Sequence, residues 1–411
     1  MEWDVIVIGG GASGLMAAGR AGELGKRVLL LEKMGRVGLK LSLTGKGRCN
    51  LTNSGDLQTF IKHYRHNGKF LYNAFAKFFN DDLISFFESR GLPLVEERGG
   101  RIFPASNRAQ EVVRVLREYA LSHRTRIQIH SPVEEILVSQ GKIRGVICGT
   151  GEILAAQVIL ATGGASYPQT GSTGDGYRMA EKLGHTIRPI KPALVPLETE
   201  EAFVKELQGL SLKNVKVTLF SAARKVEEEF GEMLFTHFGV SGPIILSLSG
   251  RAVEEMAKGQ VELAIDFKPA LSWEEVEARL IREIQTHHRK EIGHILTLLL
   301  PQRLVPIFLQ RSGLSPHLKA HDLRVAERKK IVALLKDWRL TIKKSRPIAE
   351  AIVTAGGVEV KEINPFTMES KLVPGLYFCG EVIDVDGQTG GYNLQAAFST
   401  GWVAGEAAGK A

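Results

Sequence analysis

The sequence predicts an α/β protein in which a Rossmann-like ββα sandwich, of the type that binds a dinucleotide, is built from both ends of the chain. Three observations support this fold class. A strand, a glycine loop, a helix and a second strand follow one another in residues 4–32, and a second glycine loop precedes a helical pattern at 380–401. Between them the pattern changes from alternating strands and helices to strands alone and then to helices, which indicates a β-barrel-like insertion and a small helical domain.

The first glycine loop has the spacing that a pyrophosphate requires. An apolar run at 5–8 leads into Gly9, Gly11 and Gly14, and a helical stretch follows. Gly9 allows the turn, Gly11 lets the backbone approach the phosphates, and Gly14 lets the helix lie close to the strand. The helix then offers free N–H groups to the phosphates, so Ala12 and Ser13 at its start are also predicted to contact the ligand.

A carboxylate ends the second strand. Glu32 follows the apolar run at 28–31, near the offset of roughly 20 residues at which an acidic side chain binds a ribose hydroxyl. Glu32 and the neighbouring Lys33 are therefore predicted to bind the cofactor. Because strand, helix, second strand and terminal acid occur in this order, the glycine loop is a stronger signal than an isolated GxGxxG.

Composition agrees with an enzyme that has a sizeable core. The chain has 411 residues, of which 44% are hydrophobic and 24% charged. Charged Glu2 and Asp4 predict no signal peptide, and the most apolar segment, 295–309, is broken by polar residues and prolines, so we expect a cytoplasmic protein without a membrane partner. Cys49, Cys148 and Cys379 form no CxxC pair, and no metal site is expected.

Two later stretches point to FAD rather than to a lone nicotinamide dinucleotide, because FAD has a long ribityl–isoalloxazine arm that later parts of the chain must hold. A predicted strand at 158–160 runs into an ATGG turn, and a predicted strand at 376–379 delivers Gly380 and Glu381. Glu381 is predicted to bind ribityl hydroxyls, and the helix that follows is predicted to face the flavin, with paired glycines that allow close approach. The predicted contacts in these stretches are Ala161, Thr162, Gly163, Gly164, Gly380, Glu381, Gly391, Tyr392, Asn393, Leu394 and Gln395.

Several longer motifs resemble one family of bacterial flavoproteins. RCNLTN (48–53), GEMLFTHFGVSGP (231–243), TAGGVEV (354–360), TMESK (367–371) and the segment 380–401 look like those described as NAD(FAD)-utilizing dehydrogenases, some of them aminoacetone oxidase-like or bile-acid-reductase-like. The resemblance covers essentially the whole chain. It implies an FAD domain built from both chain ends, with an inserted β-rich domain and a small helical one; no motif suggests covalent linkage, so the FAD is expected to be non-covalent. TGDGYRMA (173–180) and the Gly-Glu pair are more distantly similar to fumarate reductase and aspartate oxidase flavoproteins.

The predicted domain limits follow the change of pattern. Strand-like pieces occur at 216–220, 226–230 and 261–267, Ser272 and Glu275 form a predicted capping box, and strand texture returns at 339–342. We therefore predict an FAD-binding domain in two parts, with an insertion between them. The predicted limits are 1–190 and 353–411 for the FAD domain, 191–270 and 338–352 for the β-rich domain, and 271–337 for the helical domain.

Positive charge is concentrated in the segment 324–346. Of the formal net charge of +8, this segment contributes nine basic residues against two acidic ones. Such a segment is more often a solvated face than a binding site, but it could also attract NADPH or RNA. A flavoprotein that acts on or binds RNA is therefore kept as an alternative, although no aromatic RNA-binding motif accompanies the charge.

Catalytic candidates lie in two motifs. In 41–53 the predicted flavin contacts are Thr44, Gly45, Arg48, Cys49 and Asn50, with Lys46 as a further polar candidate. Arg48 could stabilise reduced flavin or orient a substrate carbonyl, and it could equally bond loop carbonyls. His237 is the candidate for proton transfer in the insertion, and Cys49 is expected to be a buried small residue.

These features predict an FAD-dependent oxidoreductase. Hydride is expected to pass from NAD(P)H through flavin N5 to an unsaturated or carbonyl small molecule, with the flavin supplying the chemistry. No second GxGxxG unit exists to hold a nicotinamide, so NAD(P)H would bind transiently. The enzymatic alternative is amine oxidation with oxygen as the electron acceptor.

Overall fold

The computed structural model describes residues 2–149 and 151–411, except for the side chain of Lys46. Eighteen strands occur in this part of the chain. In order they are β1 Trp3–Ile8, β2 Val28–Leu31, β3 Thr52–Asn53, β4 Leu94–Glu97, β5 Arg101–Pro104, β6 Thr125–Gln128, β7 Val133–Ser139, β8 Lys142–Cys148, β9 Gly151–Leu160, β10 Ile187–Ala193, β11 Leu197–Thr199, β12 Ser211–Ser221, β13 Arg224–Phe235, β14 Gly239–Ser241, β15 Val261–Asp266, β16 Trp338–Ser345, β17 Val353–Val358 and β18 Leu376–Phe378.

Thirteen α-helices accompany them in the described residues. They are α1 Ala12–Glu23, α2 Leu39–Gly47, α3 Leu57–Lys62, α4 Tyr72–Lys77, α5 Asn80–Glu88, α6 Ala109–Leu121, α7 Asp175–Lys182, α8 Pro243–Met256, α9 Trp273–Thr286, α10 Ile292–Thr297, α11 Val305–Ser312, α12 Val325–Lys336 and α13 Tyr392–Lys410.

The chain forms two compact units, residues 1–192 with 348–411 and residues 193–347. The first unit contains the predicted nucleotide fold, and the second contains the insertion. The finer division of the insertion into a β-rich and a helical domain stays a prediction.

A parallel sheet in the order β6-β2-β1-β9-β18 forms the centre of the first unit. Buried apolar runs form the central strands, at 5–8, 28–31, 158–160 and 376–378, as a sheet covered by helices requires, whereas the edge strand β6 is polar. The first half of β9 pairs antiparallel with β8, and the second half pairs parallel with β1. Because β18 pairs with the same second half of β9, the C-terminal segment completes a sheet that the N-terminal segment begins.

Helices α1 and α13 pack in parallel along their backbones. A Cβ atom placed on Gly401 would lie 2.4 Å from the Ser13 carbonyl oxygen, and one on Gly405 would lie 2.4 Å from the Ala17 carbonyl oxygen. In this register α13 begins about eight residues earlier than α1, so its N-terminus extends about 12 Å farther in the same direction. Small residues in both helices thus set two helix N-termini, each with a glycine N-cap, at staggered positions on one side of the unit.

The second unit is a six-stranded antiparallel barrel with helices. The strand order is β11-β14-β13-β12-β15-β16, and pairing of β11 with β16 closes it. The predicted strand pieces 216–220, 226–230 and 339–342 lie in observed strands, the piece 261–267 runs one residue past β15, and the Ser272–Glu275 capping box is present at the start of α9. The predicted fold class is therefore confirmed. In the described residues no helix combines the length and apolar character that crossing a membrane would need.

A buried histidine ties together two segments of the first unit. His185 is fully buried, with Nε2 2.9 Å from Ser370 Oγ and Nδ1 3.2 Å from Glu362 Oε2. Burial lowers the pKa of His185, and the opposing effect of Glu362 does not reverse this shift. The folded protein therefore keeps this ring neutral at pH values where an exposed histidine already binds a proton.

We expect acid to destabilise the protein through His185. Its contribution to stability should be complete above the ordinary histidine pKa of about 6.5 and should be lost as the pH falls towards the lower pKa of the folded state, because the unfolded chain takes up the proton first. Urea unfolding at pH 7.5 and 5.5 measures the loss. A His185→Gln variant should lose less stability over this interval, and an identical loss in both proteins would contradict the assignment.

Candidate dinucleotide site

The first glycine loop has the backbone geometry that its sequence predicts. Gly9 adopts a φ of +104°, and a Cβ there would lie 2.5 Å from the Ala161 carbonyl oxygen. A Cβ on Gly14 would lie 1.9 Å from the Gly9 carbonyl oxygen, whereas one on Gly11 would meet no atom within 4 Å. Gly11 is also the N-cap residue of α1 and provides no side-chain cap for the N–H groups that follow. The loop thus leaves open space in front of a free helix N-terminus, as an anionic ligand requires.

Glu32 organises the backbone of this loop. Its carboxylate is buried and accepts hydrogen bonds from the N–H groups of Gly10 and Met34, each at 2.8 Å. Each carboxylate oxygen has a second lone pair, so a ribose hydroxyl could still donate to Glu32. The side chain is therefore placed for its predicted role and has a structural role as well.

We expect Glu32→Ala to weaken FAD binding by about 1–3 kcal/mol through loss of a hydrogen bond to a charged group, while the overall fold is kept. Titration of the FAD-free protein with FAD measures the change. Asp4→Ala is the matched control, because Asp4 also accepts a backbone N–H bond, from Arg27 at 2.8 Å, beside the start of β1. Unchanged FAD affinity of the Glu32 variant would remove Glu32 from the site.

Glu381 lies in a second polar cluster that the fold assembles from four segments. It accepts hydrogen bonds from Lys40 Nζ at 2.6 Å, from the Thr354 N–H at 2.7 Å and from Ser166 Oγ at 3.2 Å. A Cβ on Gly164 would lie 2.6 Å from the Glu381 carboxylate, so the ATGG turn touches this cluster directly. Lys40, Ser166 and Thr354 were not predicted, because their contact with Glu381 depends on the packing of remote segments.

Three buried polar atoms in predicted site residues have no hydrogen-bond partner among the described residues. They are Asn50 Oδ1, Thr162 Oγ1 and Gln395 Oε1. Buried polar atoms are nearly always paired, so unpaired ones indicate a missing ligand or water. For Thr162 the hydroxyl also lies against Gly176, where a Cβ would be 2.0 Å away. Together with the open space at Gly11, the Asn50 and Gln395 atoms fit a site for FAD.

The second glycine loop packs on the RCNLTN segment. Gly391 has a φ of +101°, and a Cβ there would lie 2.4 Å from the Thr52 carbonyl oxygen. Asn53 Nδ2 donates to the Gly390 carbonyl at 3.3 Å. The structure thus gives a different reason for the glycine pair from the one predicted, because the close neighbour of Gly391 is protein backbone.

The residues after Gly391 have distinct environments. Tyr392 is buried, and the Asn393 side chain bonds both the N–H and the carbonyl of Gly387, at 2.8 and 2.7 Å. Leu394 packs against the core of the unit, and Gln395 Nε2 donates to Ser399 Oγ at 2.9 Å. Asn393 therefore shapes the loop, while Gln395 keeps an unpaired oxygen.

Arg48 is engaged by protein groups. Its guanidinium pairs with Glu97, donates to Asn107 Oδ1 at 2.6 Å and lies 4.2 Å from the centre of the Phe103 ring. These partners are side chains and not the loop carbonyls considered from the sequence, and a role of Arg48 towards flavin or substrate stays a prediction. Cys49 is fully buried, and burial raises the pKa of its thiol to about 12, which excludes a thiolate nucleophile near neutral pH.

The remaining predicted residues are placed as follows. Lys33 pairs with Asp175 at the start of α7 and donates to Thr173 Oγ1 at 2.6 Å. Thr44 and Gly45 lie in α2, where the Thr44 hydroxyl donates to the Leu41 carbonyl at 2.7 Å. Ser13 is buried beside Gly380, where a Cβ would lie 2.4 Å from its hydroxyl oxygen, Ala12 begins α1, and Gly163 has a φ of +71° next to Ser172. The candidate Lys46 side chain lies outside the described part of the chain.

His237 belongs to the second unit. It is exposed in the turn between β13 and β14, and its ring contacts Phe238 edge to face at 4.9 Å. A catalytic role for His237 stays a prediction.

Comparison with known proteins agrees with this geometry. The model of a family described as "HI0933-like protein Rossmann domain" matches residues 3–407. The chain belongs to this family. The flavoprotein family inferred from the motifs is thereby confirmed, and the HI0933-like chain is a flavoprotein of the oxidoreductase class.

Curated relatives match over nearly their whole length. One is the 3-dehydro-bile acid delta(4,6)-reductase of Clostridium scindens, 33% identical over 98% of this chain and 98% of the relative. Another is the ribosomal RNA dihydrouridine synthase of Escherichia coli, 31% identical over 98% of this chain and 96% of the relative. A protein with the same name from Haemophilus influenzae is 32% identical over 97% and 96%.

Solved structures share the fold at low sequence identity. The 3-ketosteroid-delta4-(5alpha)-dehydrogenase of Rhodococcus jostii is 16% identical, with a TM-score of 0.54 over 100% of this chain and 97% of the other. The 3-ketosteroid delta1-dehydrogenase of Sterolibacterium denitrificans is 13% identical, with a TM-score of 0.54 over 99% of both chains. These similarities describe the fold of the HI0933-like chain.

Proposed function

We propose that the protein is an FAD-dependent reductase that takes hydride from NAD(P)H and adds it to a carbon–carbon double bond conjugated to a carbonyl group. The observation that supports FAD as the cofactor is the stagger between the N-termini of α1 and α13. The N-terminus of α1 suits the pyrophosphate, and that of α13, about 12 Å farther in the same direction, suits the distal end of an elongated flavin dinucleotide.

The chain's own residues have distinct roles in this proposal. Backbone N–H groups after Gly11 hold the pyrophosphate, Glu32 accepts from a ribose hydroxyl, and Glu381 accepts from ribityl hydroxyls with Lys40 balancing its charge. The N-terminus of α13 favours negative charge at the flavin's pyrimidine edge. Bound FAD supplies two-electron chemistry that no protein side chain can provide.

The relatives support the reductive direction. The names delta(4,6)-reductase and dihydrouridine synthase both describe addition of hydrogen to a double bond. In a 3-keto-4,6-diene and in uracil alike, that bond is conjugated to a carbonyl, which makes its far carbon electrophilic. Amine oxidation, the opposite direction of electron flow, receives no comparable support.

The first test is the cofactor itself. The purified protein should be yellow and should release intact FAD on heat denaturation, because the Cys49 and Cys379 thiols are buried, with pKa values raised to about 12, and are unsuited to covalent attachment. Anaerobic stopped-flow mixing with NADH, NADPH and a panel of amines then identifies the donor by loss of flavin absorbance. Reoxidation by a cyclic enone would support the proposal, whereas bleaching by amines alone would replace it with an oxidase.

A second candidate substrate is uridine in ribosomal RNA, which the basic segment 324–346 favours. Five of its nine basic side chains form ion pairs with carboxylates of the second unit, so less of the charge is available than the sequence suggests. Among the described residues Arg324, Lys329, Lys330 and Lys343 are exposed and form no ion pair. These four side chains are the part of the segment's positive charge that could attract phosphates.

The RNA candidate has a direct test. Reduced protein mixed anaerobically with ribosomal RNA should be reoxidised, and dihydrouridine should appear in the RNA. A Lys329→Glu, Lys330→Glu double variant should bind RNA more weakly and with a smaller salt dependence. Lys205→Glu, at another exposed lysine of the same unit, is the control. If a cyclic enone reoxidises the flavin and the RNA does not, the RNA candidate is wrong and the small-molecule substrate is supported.

A further inference from the structure

We propose that His63 is the general acid of the reduction, donating from Nε2 the proton that completes addition of hydrogen across the double bond. This inference rests on the proposed function, since it assigns a catalytic residue to that reaction. No motif in the sequence marks His63, which lies between α3 and α4.

The position of His63 is fixed by the second glycine loop. Its ring stacks on Tyr392, with centroids 4.1 Å apart and an interplanar angle of 18°, and its carbonyl accepts from the Gln388 N–H at 2.9 Å. The next residue, Tyr64, donates from its hydroxyl to the Tyr392 carbonyl at 2.7 Å. The segment is thus joined to the residues on both sides of Gly391, the N-cap of the helix that we propose faces the flavin.

The hydrogen bonds of the ring define its two nitrogens. Nδ1 lies 2.6 Å from Gln388 Oε1, and because an amide oxygen only accepts, Nδ1 carries the proton in the neutral ring. Among the described residues Nε2 has no hydrogen-bond partner, and the side chain is partly exposed. A second proton therefore enters at Nε2, where it can be given to a substrate.

The titratable groups near His63 are buried or form ion pairs and hydrogen bonds with other residues. Arg65 pairs with the buried Asp386, and Asn67 donates to Asp384 at 2.9 Å. Burial raises the pKa of Asp384, as do the carboxylates of Asp386 and Glu359 to a smaller extent. Burial also raises the pKa of Tyr64 well above its usual value. In this segment His63 combines a ring nitrogen that has no partner among the described residues with the side-chain type that most often transfers protons in enzymes.

The reaction balances with one hydride and one proton. Hydride, derived from NAD(P)H, forms a C–H bond at the β carbon, and the π electrons move towards the carbonyl as an enolate. The enolate's α carbon then takes the proton from His63 Nε2, giving the saturated carbonyl compound and a neutral imidazole. Solvent reprotonates Nε2 while the Nδ1–H bond to Gln388 holds the ring in place.

Separate half-reactions test the assignment in the FAD-loaded protein. In His63→Asn the rate of flavin reduction by NAD(P)H should stay within about twofold of wild type, whereas reoxidation by a cyclic enone should slow at least about 100-fold. Because the proposed acid must carry a proton, the wild-type reoxidation rate should fall as the pH rises, and this decrease should be absent from the variant. His66→Asn, at an exposed neighbouring histidine, is the control and should behave as wild type.

A second variant keeps the test decisive if His63→Asn loses FAD. Gln388→Glu places a carboxylate on Nδ1–H, so it stabilises the imidazolium and should move the fall in reoxidation rate to higher pH. An unchanged pH profile of reoxidation in Gln388→Glu would overturn the assignment of His63 but not the proposed function. Wild-type reoxidation rates and pH profile in His63→Asn would do the same. A wild-type protein that reduces no conjugated double bond would instead overturn the proposed function, and the role of His63 with it.

Discussion

Gly11→Val should weaken FAD binding at least about 100-fold, roughly 2.7 kcal/mol, while lowering the stability of the FAD-free protein by no more than about 1 kcal/mol. The φ of Gly11 is −80°, which valine adopts without strain, and a Cβ there meets no protein atom within 4 Å. The added side chain therefore enters only the space that we assign to the pyrophosphate. Titration with FAD and urea unfolding of the FAD-free protein measure the two effects.

Two further glycine variants serve as comparisons for Gly11→Val. Gly149→Val is the control, because Gly149 is exposed and a Cβ there also meets no atom within 4 Å, and it should change neither quantity. Gly14→Val should lose both FAD affinity and stability of the FAD-free protein, because its Cβ would lie 1.9 Å from the Gly9 carbonyl oxygen. Wild-type FAD affinity in Gly11→Val would show that the open space at the start of α1 does not hold the cofactor.

Gly391→Val should destabilise the FAD-free protein by about 3 kcal/mol or more and also abolish FAD binding. Valine is strained at a φ of +101°, and its Cβ would lie 2.4 Å from the Thr52 carbonyl oxygen, so the RCNLTN segment and the start of α13 must move apart. Cofactor binding should then fail because the second helix N-terminus is displaced.

Gly25→Val separates the effect of backbone strain at positive φ from the effect of a steric clash. Gly25 has a φ of +87° with no atom within 4 Å of its Cβ position, so this variant should lose only about 1–2 kcal/mol and keep FAD. Loss of FAD from Gly391→Val without loss of stability would restore the first explanation, direct approach of this loop to the cofactor. A Gly391→Val protein with wild-type stability and wild-type FAD binding would show that this loop is not part of the site.

The site could be predicted from sequence where local backbone geometry determines it. Gly9 and Gly14 have the contacts that the fingerprint requires, and Glu32 directly follows β2. Four of the six barrel strands and the capping box at Ser272 follow from alternation and from a local hydrogen-bond pattern, so they too were predicted, whereas the short strands β11 and β14 were not. In each case the deciding interaction joins residues close in sequence or repeats with a regular period.

Side-chain partners from remote segments could not be predicted in this way. Arg48 stood out as a flavin contact because of its motif, yet its partners Glu97 and Asn107 lie on other segments. Lys40 and His63 carry no pattern of their own, and they become candidates only through contacts with Glu381 and Gln388, more than 300 residues away. Nothing periodic connects residues at such separations.

By itself the sequence determined that this chain has a nucleotide-type α/β unit with a glycine loop at each end, because turn geometry and hydrophobic period depend on a few neighbouring residues. Only the tertiary structure shows how the two loops, which the sequence predicts to hold one FAD, are arranged relative to each other. Backbone contact between α1 and α13, with β18 beside β9, brings the loops to the same side of the unit and staggers their helix N-termini by about 12 Å. That arrangement depends on close packing between the two ends of the chain, which no local pattern records.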